Sequence, residues 1–263
     1  MAVFLITFRE TLEAALIVGI LFAFLNKNKA NKFKKNVWFG VFSGIILSLI
    51  FGFFFKLLNE NLGDRASEIF EGFVALIGAL LISSLILWIN TKENFILNIT
   101  NQLKKNFNTK NFSLILMLVT LVNILREGVE TVIFLAAIPG DNSLDIVFGF
   151  TGILFAIFIG YSFYKGILKI NISTFFKITN ILLILFASGL IAYGIHELQE
   201  AYIIPIIIEH IYDINSFINE NGPLGSILKG LFGYNGNPSL IETIAYWTYL
   251  IPTMYLTLKK NNS

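Results

Sequence analysis

The sequence predicts an all-α polytopic membrane protein with seven transmembrane helices: an inverted repeat of three helices, followed by one C-terminal helix. Three observations support this fold class. The chain is 56% hydrophobic and only 14% charged, whereas a soluble domain carries about a quarter charged residues. Apolar runs of the length that crosses a hydrocarbon core recur along the chain. The basic residues are also distributed very unevenly among the segments between these runs.

The apolar runs predict seven helical spans within a single transmembrane domain covering residues 1–263. Each run is long enough for a helix to cross about 30 Å of hydrocarbon. The first run is not expected to be a secretory signal, because glutamates interrupt it and no basic residue precedes it. The predicted spans are 2–25, 37–58, 69–90, 112–138, 146–164, 178–196 and 239–258.

The lysines predict the orientation of these spans. Fourteen of the 19 basic residues lie in alternate loops and the C-terminal tail, three lie in the opposite segments, and two are the arginines discussed below. Cytoplasmic loops of membrane proteins carry an excess of Lys and Arg. The C-terminus is therefore expected in the cytoplasm and the N-terminus outside, which requires an odd number of spans.

An internal duplication is indicated by the pattern R-E-x-x-E, which occurs at residues 9–13 of the first span and 126–130 of the fourth. Spans 2 and 5 also share small residues every fourth position, which let helices approach closely in lipid. Two three-helix units in tandem have opposite orientations in the membrane. The predicted parts are repeat 1 (about 1–110), repeat 2 (about 111–200), an outer loop (about 201–238) and the seventh helix (about 239–258).

The two motifs place six charged residues inside apolar helices. Residues three and four apart share one helix face, so each arginine can contact its own glutamates. Each charge at the bilayer centre costs about 2.5–3.5 kcal/mol on insertion scales, so these residues are expected to face one another, water or a ligand. The six are Arg9, Glu10 and Glu13 in the first motif, and Arg126, Glu127 and Glu130 in the second.

A cation is one way to balance the motif charges, since four glutamates and two arginines leave a deficit of two positive charges. Carboxylate oxygens suit hard ions such as iron(III), magnesium, manganese or calcium. Arginine cannot ligate a metal, so Arg9 and Arg126 are expected to orient the glutamates. Protonation of two glutamates, or a purely structural ion-pair cluster, remain alternatives at this stage.

Two further acidic groups are predicted at the outer ends of the spans. Glu68 and Glu71 open span 3 in the sequence EIFEG, and His196, Glu197 and Glu200 close span 6 in HELQE. Acids favour a helix N-terminus, which accounts for the first pair but not for the second group. Together these residues are expected to form an outer vestibule that supplies cations to the motif glutamates.

These motifs resemble those of the high-affinity iron permeases, the oxidase-dependent iron transporters of fungi and bacteria. The likeness continues through EIFEG, through GLIAYGIHELQEAYIIP and through GPLGSILKGLFGYNGNPSLIETIAYWTYL, and it covers essentially the whole chain. The resemblance implies seven helices, an external N-terminus, a position in the cytoplasmic (plasma or inner) membrane, and iron uptake.

The resemblance also implies roles for individual residues. Glu10, Glu13, Glu127 and Glu130 are expected to bind iron beside the two arginines, with the acidic pair Glu68 and Glu71 also in use. Ferric iron made by a partner oxidase is the expected form. Because the sequence starts directly at span 1, a separate extracytoplasmic oxidase or iron-binding protein is the expected partner, alongside the lipid bilayer.

Other classes are less compatible with the sequence. A di-iron oxidase would use Glu-x-x-His pairs and a zinc hydrolase H-E-x-x-H, and the sequence contains neither, so no enzyme is expected. The chain lacks cysteine, and no tightly bound cofactor or nucleic-acid partner is expected. A transporter of another hard cation (lead, manganese or magnesium) and a membrane scaffold with structural ion pairs remain the alternative functions.

Overall fold

The computed structural model describes residues 2–88, 101, 103–107, 109, 111–138, 143–164, 172–220 and 222–261. The regular structure of these residues is helical, and they contain no β-strand. The main helices are α1 (Ala2–Lys27), α2 (Lys34–Glu60), α3 (Asp64–Trp88), α4 (Phe112–Ala136), α5 (Ser143–Tyr164), α6 (Ile172–Glu200), α7 (Pro223–Phe232) and α8 (Leu240–Asn261).

All seven predicted spans fall on helices, as far as the chain is described. Helix α3 begins at Asp64, five residues before the predicted start at 69, because an acid in the first turn favours a helix N-terminus. Among the described residues, four helical segments are long and apolar enough to cross a membrane: Asn31–Asn59, Asp64–Ser84, Phe112–Ala136 and Asn180–Glu200. A fifth apolar segment, 146–162, is shorter. The lysines at 92, 110, 165 and 169, on which part of the predicted orientation rests, lie outside the described residues.

Large apolar side chains cover the outer surface of the bundle. On α2, Phe39, Phe42 and Phe53 are exposed, and on α5 the same holds for Leu154 and Phe158. Soluble monomers rarely expose contiguous apolar patches of this extent. These faces fit a chain that crosses the membrane several times.

The helices pack in pairs drawn from the two halves of the chain. Helix α1 packs along α5, α2 along α4, and α3 along α6, while α1 also crosses α4. Helix α8 packs against α6 at the side of the bundle. A core cluster joins α3, α6, α8, the C-terminal end of α4 and Ile6 of α1, with Phe134 and Ile184 completely buried in it.

Small residues make the α2–α4 and α1–α5 contacts close, as their spacing predicted. A Cβ built on Gly44 would lie 2.8 Å from Ile124 Cβ, and one built on Gly160 would lie 2.7 Å from Ala15 Cβ. Real Cβ atoms do not approach one another so closely. Glycine at these positions therefore sets the separation of the helices, which is the usual role of small residues at interfaces in lipid.

The two pairs of helices touch at equivalent positions. Thr7 lies two residues before Arg9 and contacts Gly152, and Ile124 lies two residues before Arg126 and contacts Gly44. Further along the same helices, Ala15 contacts Gly160 and Val132 contacts Gly52. Ala15 and Val132 each lie six residues after the arginine of their motif. Gly160 and Gly52 each lie eight residues after the first glycine contact of their helix, at Gly152 and Gly44.

Helices α3 and α6 cross with reciprocal contacts. A Cβ on Gly72 would lie 2.9 Å from Leu198 Cγ, and one on Gly194 would lie 3.0 Å from Leu76 Cγ. Each glycine also faces the carbonyl oxygen of the other, at 3.0 and 2.9 Å from the added Cβ. The contact is symmetric, because in each helix a glycine faces the leucine that lies four residues after the glycine of the other helix.

Residues 201–220, between α6 and α7, are irregular, although they carry many apolar side chains. Tyr202 and Phe217 are almost fully exposed, and backbone hydrogen bonds join Ile211 to Pro238 and Ile214 to Gly236. From the sequence alone, residues 202–218 are compatible with a surface helix or a re-entrant segment; in the structure they are not helical. Gly233 ends α7 with a φ of 65° and packs directly on Gly189 of α6.

Candidate metal centre

Arg9 lies at the centre of the first motif and is completely enclosed. Its side chain is only 2% exposed, and its guanidinium pairs with both glutamates of its own motif. Nη1 contacts Glu10 Oε1, and Nη2 lies 2.9 Å from Glu13 Oε1. Because buried charges require partners, this ion-pair cluster explains how α1 carries three charges in an apolar bundle.

The second motif repeats the pairing with a different environment. Arg126 Nε donates to Glu130 Oε1 at 2.9 Å, across one helical turn of α4. Both Glu127 and Glu130 are buried, whereas the Arg126 side chain is 41% exposed. The two motifs are therefore alike in sequence but not in the burial of their arginines.

Three of the four motif glutamates converge where α1 crosses α4. Glu10, Glu127 and Glu130 each offer a carboxylate oxygen, and these oxygens lie within 4.8 Å of one another. We call this group the triglutamate site. Glu13 is not a member of the group; its Oε1 faces Arg9 Nη2 instead.

The triglutamate site contains buried oxygens that protein groups do not satisfy. Glu10 Oε2, Glu127 Oε2 and Glu130 Oε2 have no hydrogen-bond partner among the described residues. Leaving a buried polar group unpaired costs about 1–3 kcal/mol, and more for a charged group. Oxygen ligands at this spacing fit a hard cation, so the chemistry of the donors matches a metal ion.

A cavity of about 530 Å³ leads to the triglutamate site. It lies between α1, α2, α4 and α5, and its lining includes Glu10 and Glu127 together with Thr7, Ser48 and Thr131. The remaining lining is mainly apolar. The cavity brings polar side chains from α1, α2 and α4 beside the glutamates, so the site is not completely sealed by protein.

The acidic pair of α3 occupies a separate place. Glu71 accepts hydrogen bonds from Tyr193 of α6 at 3.0 Å and from Ser67 at 3.2 Å. Glu68, one turn earlier, is half-buried. Neither residue belongs to the triglutamate site, so the structure separates these two predicted ligands from the motif glutamates.

The predicted vestibule residues of α6 line a second cavity, also of about 530 Å³. We call it the outer cavity, after the side of the membrane on which the sequence predicts these residues. It lies between α6, the 201–238 segment and the start of α8, and His196, Glu197 and Glu200 face it. His196 Nε2 lies 3.3 Å from Glu200 Oε1. Glu68 and Glu71 do not line it, although Tyr193, which bonds Glu71, does.

Glu242 is the residue of this region that the sequence interpretation missed. It is 3% exposed at the start of α8, and its Oε1 lies 3.3 Å from His196 Nδ1. Asn235 donates to its Oε2 at 2.8 Å. The sequence SLIE (239–242) is an S-x-x-E capping box, with the Glu242 amide donating to Ser239 Oγ at 3.3 Å. That pattern predicts a helix start, but not the contact with His196.

Comparison with known proteins gives full-length matches. The profile described as the iron permease FTR1 family matches residues 1–259. A protein of Yersinia pestis named ferrous iron permease EfeU is 30% identical over 262 residues, covering 96% of this chain and 91% of the relative. A protein of the same name from Escherichia coli strain 536 is 31% identical over 261 residues, covering 95% and 92%. No solved structure matches the chain.

Proposed function

Because the chain belongs to the FTR1 family of iron permeases, we propose that it carries iron into the cell through the triglutamate site. The observation that supports this most directly is the convergence of Glu10, Glu127 and Glu130 with unsatisfied buried oxygens. Permeases move ions without chemical conversion, so the chain is a transporter and not an enzyme. Iron is its substrate, held transiently by carboxylates.

The form that reaches the buried site is ferrous iron. The relatives are named ferrous iron permeases, and the charge of the two motifs points the same way. Four glutamates and two arginines leave a charge of −2, which a divalent ion neutralises and a trivalent ion exceeds. An uncompensated buried charge is costly. The proposal departs here from the ferric form that the resemblance implied.

The proposed architecture has seven membrane spans, with the N-terminus outside and the C-terminus in the cytoplasm. The exposed apolar faces of the helices and the uneven lysine distribution support it. Matched contacts of α1 with α5 and of α4 with α2, and the reciprocal crossing of α3 and α6, support an inverted three-helix repeat. Its two-fold axis would run between Glu10 and Glu127, placing the site on the axis.

Iron enters from the outer side in this proposal. The cation is collected in the outer cavity by His196, Glu197, Glu200 and Glu242. Glu71 is connected to this cavity by its hydrogen bond from Tyr193, which lines the cavity. The cytoplasmic membrane is the proposed location. A separate extracytoplasmic iron-binding protein would supply the ion. The oxidase that the resemblance implied makes ferric iron, so it is not part of the ferrous proposal.

Uptake of radioactive iron into proteoliposomes tests the function. We expect uptake of ascorbate-reduced ferrous iron by the wild type, and its loss in Glu127→Gln, which removes one charge from the site at constant volume. Asp213→Asn is the matched control, because Asp213 is an exposed acid of the outer segment. Size-exclusion elution profiles and the midpoints of thermal unfolding show whether each variant is folded.

The contrary outcomes are equally specific. Uptake of ferric citrate in preference to ferrous iron would contradict the proposed valence. Faster uptake of manganese, magnesium or lead than of iron would favour the hard-cation alternative, since oxygen ligands bind all of these ions. Undiminished iron uptake by folded Glu127→Gln would show that iron does not pass through the triglutamate site.

A further inference from the structure

We propose that Glu10 and Glu127 ligate the ion throughout its passage, while Glu130 and Glu13 alternate as its third ligand. The inference rests on the proposed function and assigns separate roles to four glutamates that look equivalent in sequence. It follows from three features of the structure: the membership of the triglutamate site, the contact register of the two halves, and the unequal burial of the two arginines.

The first feature is that the triglutamate site contains both glutamates of one motif but only one glutamate of the other. Both glutamates of the second motif belong to it, but only Glu10 of the first motif does. Glu13 Oε1 instead lies 2.9 Å from Arg9 Nη2. Glu130 Oε1 likewise lies 2.9 Å from Arg126 Nε, but Glu130 also offers an oxygen to the triglutamate site, of which Glu13 is not a member. In this arrangement Glu130 is therefore a ligand, and Glu13 serves as a counter-charge for Arg9.

The second feature is that the halves are related by one register. The contact Thr7–Gly152 in one half corresponds to Ile124–Gly44 in the other, and Ala15–Gly160 corresponds to Val132–Gly52. In both halves the contacting residues lie at the same distances in sequence from the motif arginine, and the glycines have the same spacing. The same relation exchanges Arg9 with Arg126, Glu10 with Glu127, and Glu13 with Glu130. Glu10 and Glu127 exchange with each other and lie together at the α1–α4 crossing, so they keep their place under the exchange.

The third feature is that the present arrangement is not symmetric. The Arg9 side chain is 2% exposed and the Arg126 side chain 41% exposed. If two halves of the same design adopt two conformations, a second arrangement exists in which each half takes the conformation of the other. Inverted-repeat transporters alternate between such arrangements around a fixed site, and a bound ion selects between them by its affinity for each.

The second arrangement has a defined ligand set. Glu10, Glu127 and Glu13 hold the ion. Arg126 is enclosed and pairs with both Glu127 and Glu130, as Arg9 now pairs with Glu10 and Glu13, while Arg9 becomes partly exposed and keeps its pair with Glu13. An ion bound by Glu130 in one arrangement is bound by Glu13 in the other, without leaving Glu10 and Glu127. Three carboxylates remain around the ion in both arrangements.

The experiment compares equilibrium binding with transport for Glu13→Gln and Glu130→Gln. Binding of radioactive ferrous iron is measured under ascorbate on purified protein, and uptake is measured in proteoliposomes. We expect Glu130→Gln to weaken binding at least about tenfold, the scale of losing a supporting or ligating group. Glu13→Gln keeps binding close to wild type and loses uptake, because the arrangement described here forms but the exchanged one lacks its third ligand.

Matched variants keep the comparison interpretable. Asp213→Asn controls for removal of an acid outside the site, and Glu10→Gln is expected to abolish both binding and uptake. If Glu13→Gln does not fold, Glu13→Asp keeps the charge beside Arg9 but shortens the side chain, and it is expected to bind iron and transport it slowly.

Each result decides between two ideas. Equal losses of binding in folded Glu13→Gln and Glu130→Gln would show a simultaneous four-carboxylate site and overturn the alternation, while iron transport by the wild type would stand. Normal uptake by Glu13→Gln would overturn the alternation as well. Absence of iron uptake in the wild type would instead refute the proposed function.

Discussion

Arg9 and Arg126 occupy the same position in two copies of one motif, yet only Arg9 is enclosed by protein. The Arg9 guanidinium pairs with Glu10 and Glu13, and its side chain is 2% exposed. Arg126 pairs with Glu130, but 41% of its side chain is exposed. Equal sequence therefore gives unequal electrostatic environments, because the helices that pack around each copy differ.

Replacing the two arginines by glutamine is expected to have unequal effects on stability. Arg9→Gln leaves two buried glutamates without their cation, and breaking a buried ion pair costs about 3–5 kcal/mol. The Arg126 side chain is 41% exposed and the Arg9 side chain 2%, so Arg126→Gln is expected to cost less than Arg9→Gln. Thermal midpoints of the detergent-purified variants measure the difference. Equal shifts of the two midpoints would contradict the burial difference.

The glycine contacts between α2 and α4 predict a pair of compensating substitutions. A Cβ at Gly128 would overlap the Ser48 hydroxyl and lie 2.5 Å from Ser48 Cβ, so Gly128→Ala is expected to separate the helices. Overpacking costs about 1–3 kcal/mol. Adding Ser48→Gly makes room for the new methyl group and is expected to restore most of the loss.

The control for this pair is Gly19→Ala on α1. A Cβ at Gly19 would have no neighbour within 4 Å, and alanine is a better helix former by about 1 kcal/mol. Gly19→Ala is therefore expected to be neutral or stabilising. Thermal midpoints compare the three variants, and failure of Ser48→Gly to rescue Gly128→Ala would mean that another contact limits the helix separation.

Glu242→Gln is expected to weaken iron capture more than it slows the transport step. Glu242 lies 3.3 Å from His196 and accepts from Asn235 in the outer cavity, remote in sequence from the motifs. Removal of its charge lowers the attraction for cations, so we expect the iron concentration for half-maximal uptake to rise severalfold with little change in maximal rate. Asp213→Asn is the control, and a lower maximal rate at unchanged half-saturation would place Glu242 in the transport step.

Gly233→Ala tests the connection between the outer segment and α6. Gly233 has a φ of 65°, and a Cβ there would overlap Gly189 Cα. A residue with a side chain is strained in this region of φ by about 1 kcal/mol or more, and the contact adds to that cost. We expect a clear fall in thermal midpoint for Gly233→Ala and little change for Gly63→Ala, whose added Cβ would have no neighbour within 4 Å. Similar midpoints for the two variants would show that the Gly189 contact is not needed for stability.

Local patterns in the sequence predicted the helices and the close contacts between them. Apolar run length located the helices, and the spacing of Gly44 and Gly160 indicated close helix contacts, because both depend only on residues near each other in the chain. The paired motifs indicated that the charged side chains face one another, water or a ligand, since insertion costs oppose six charges facing lipid.

Which glutamates meet could not be predicted, because it depends on the rotation of each helix against the other half of the bundle. A small rotation of α1 or α4 decides that Glu130, and not Glu13, joins Glu10 and Glu127. The contact of Glu242 with His196 could not be predicted for a related reason. A capping box explains that residue locally, and only the path of the 201–238 segment brings it to His196.

The contact of Ser48 with Gly128 also has a consequence for how related sequences diverge. The space at this crossing holds one small side chain, and it is currently supplied by α2. A relative could carry the side chain on α4 and glycine on α2, but two side chains would not fit. Across homologues the sizes of these two residues should therefore be inversely correlated, so that substitutions in the two halves are inherited in pairs.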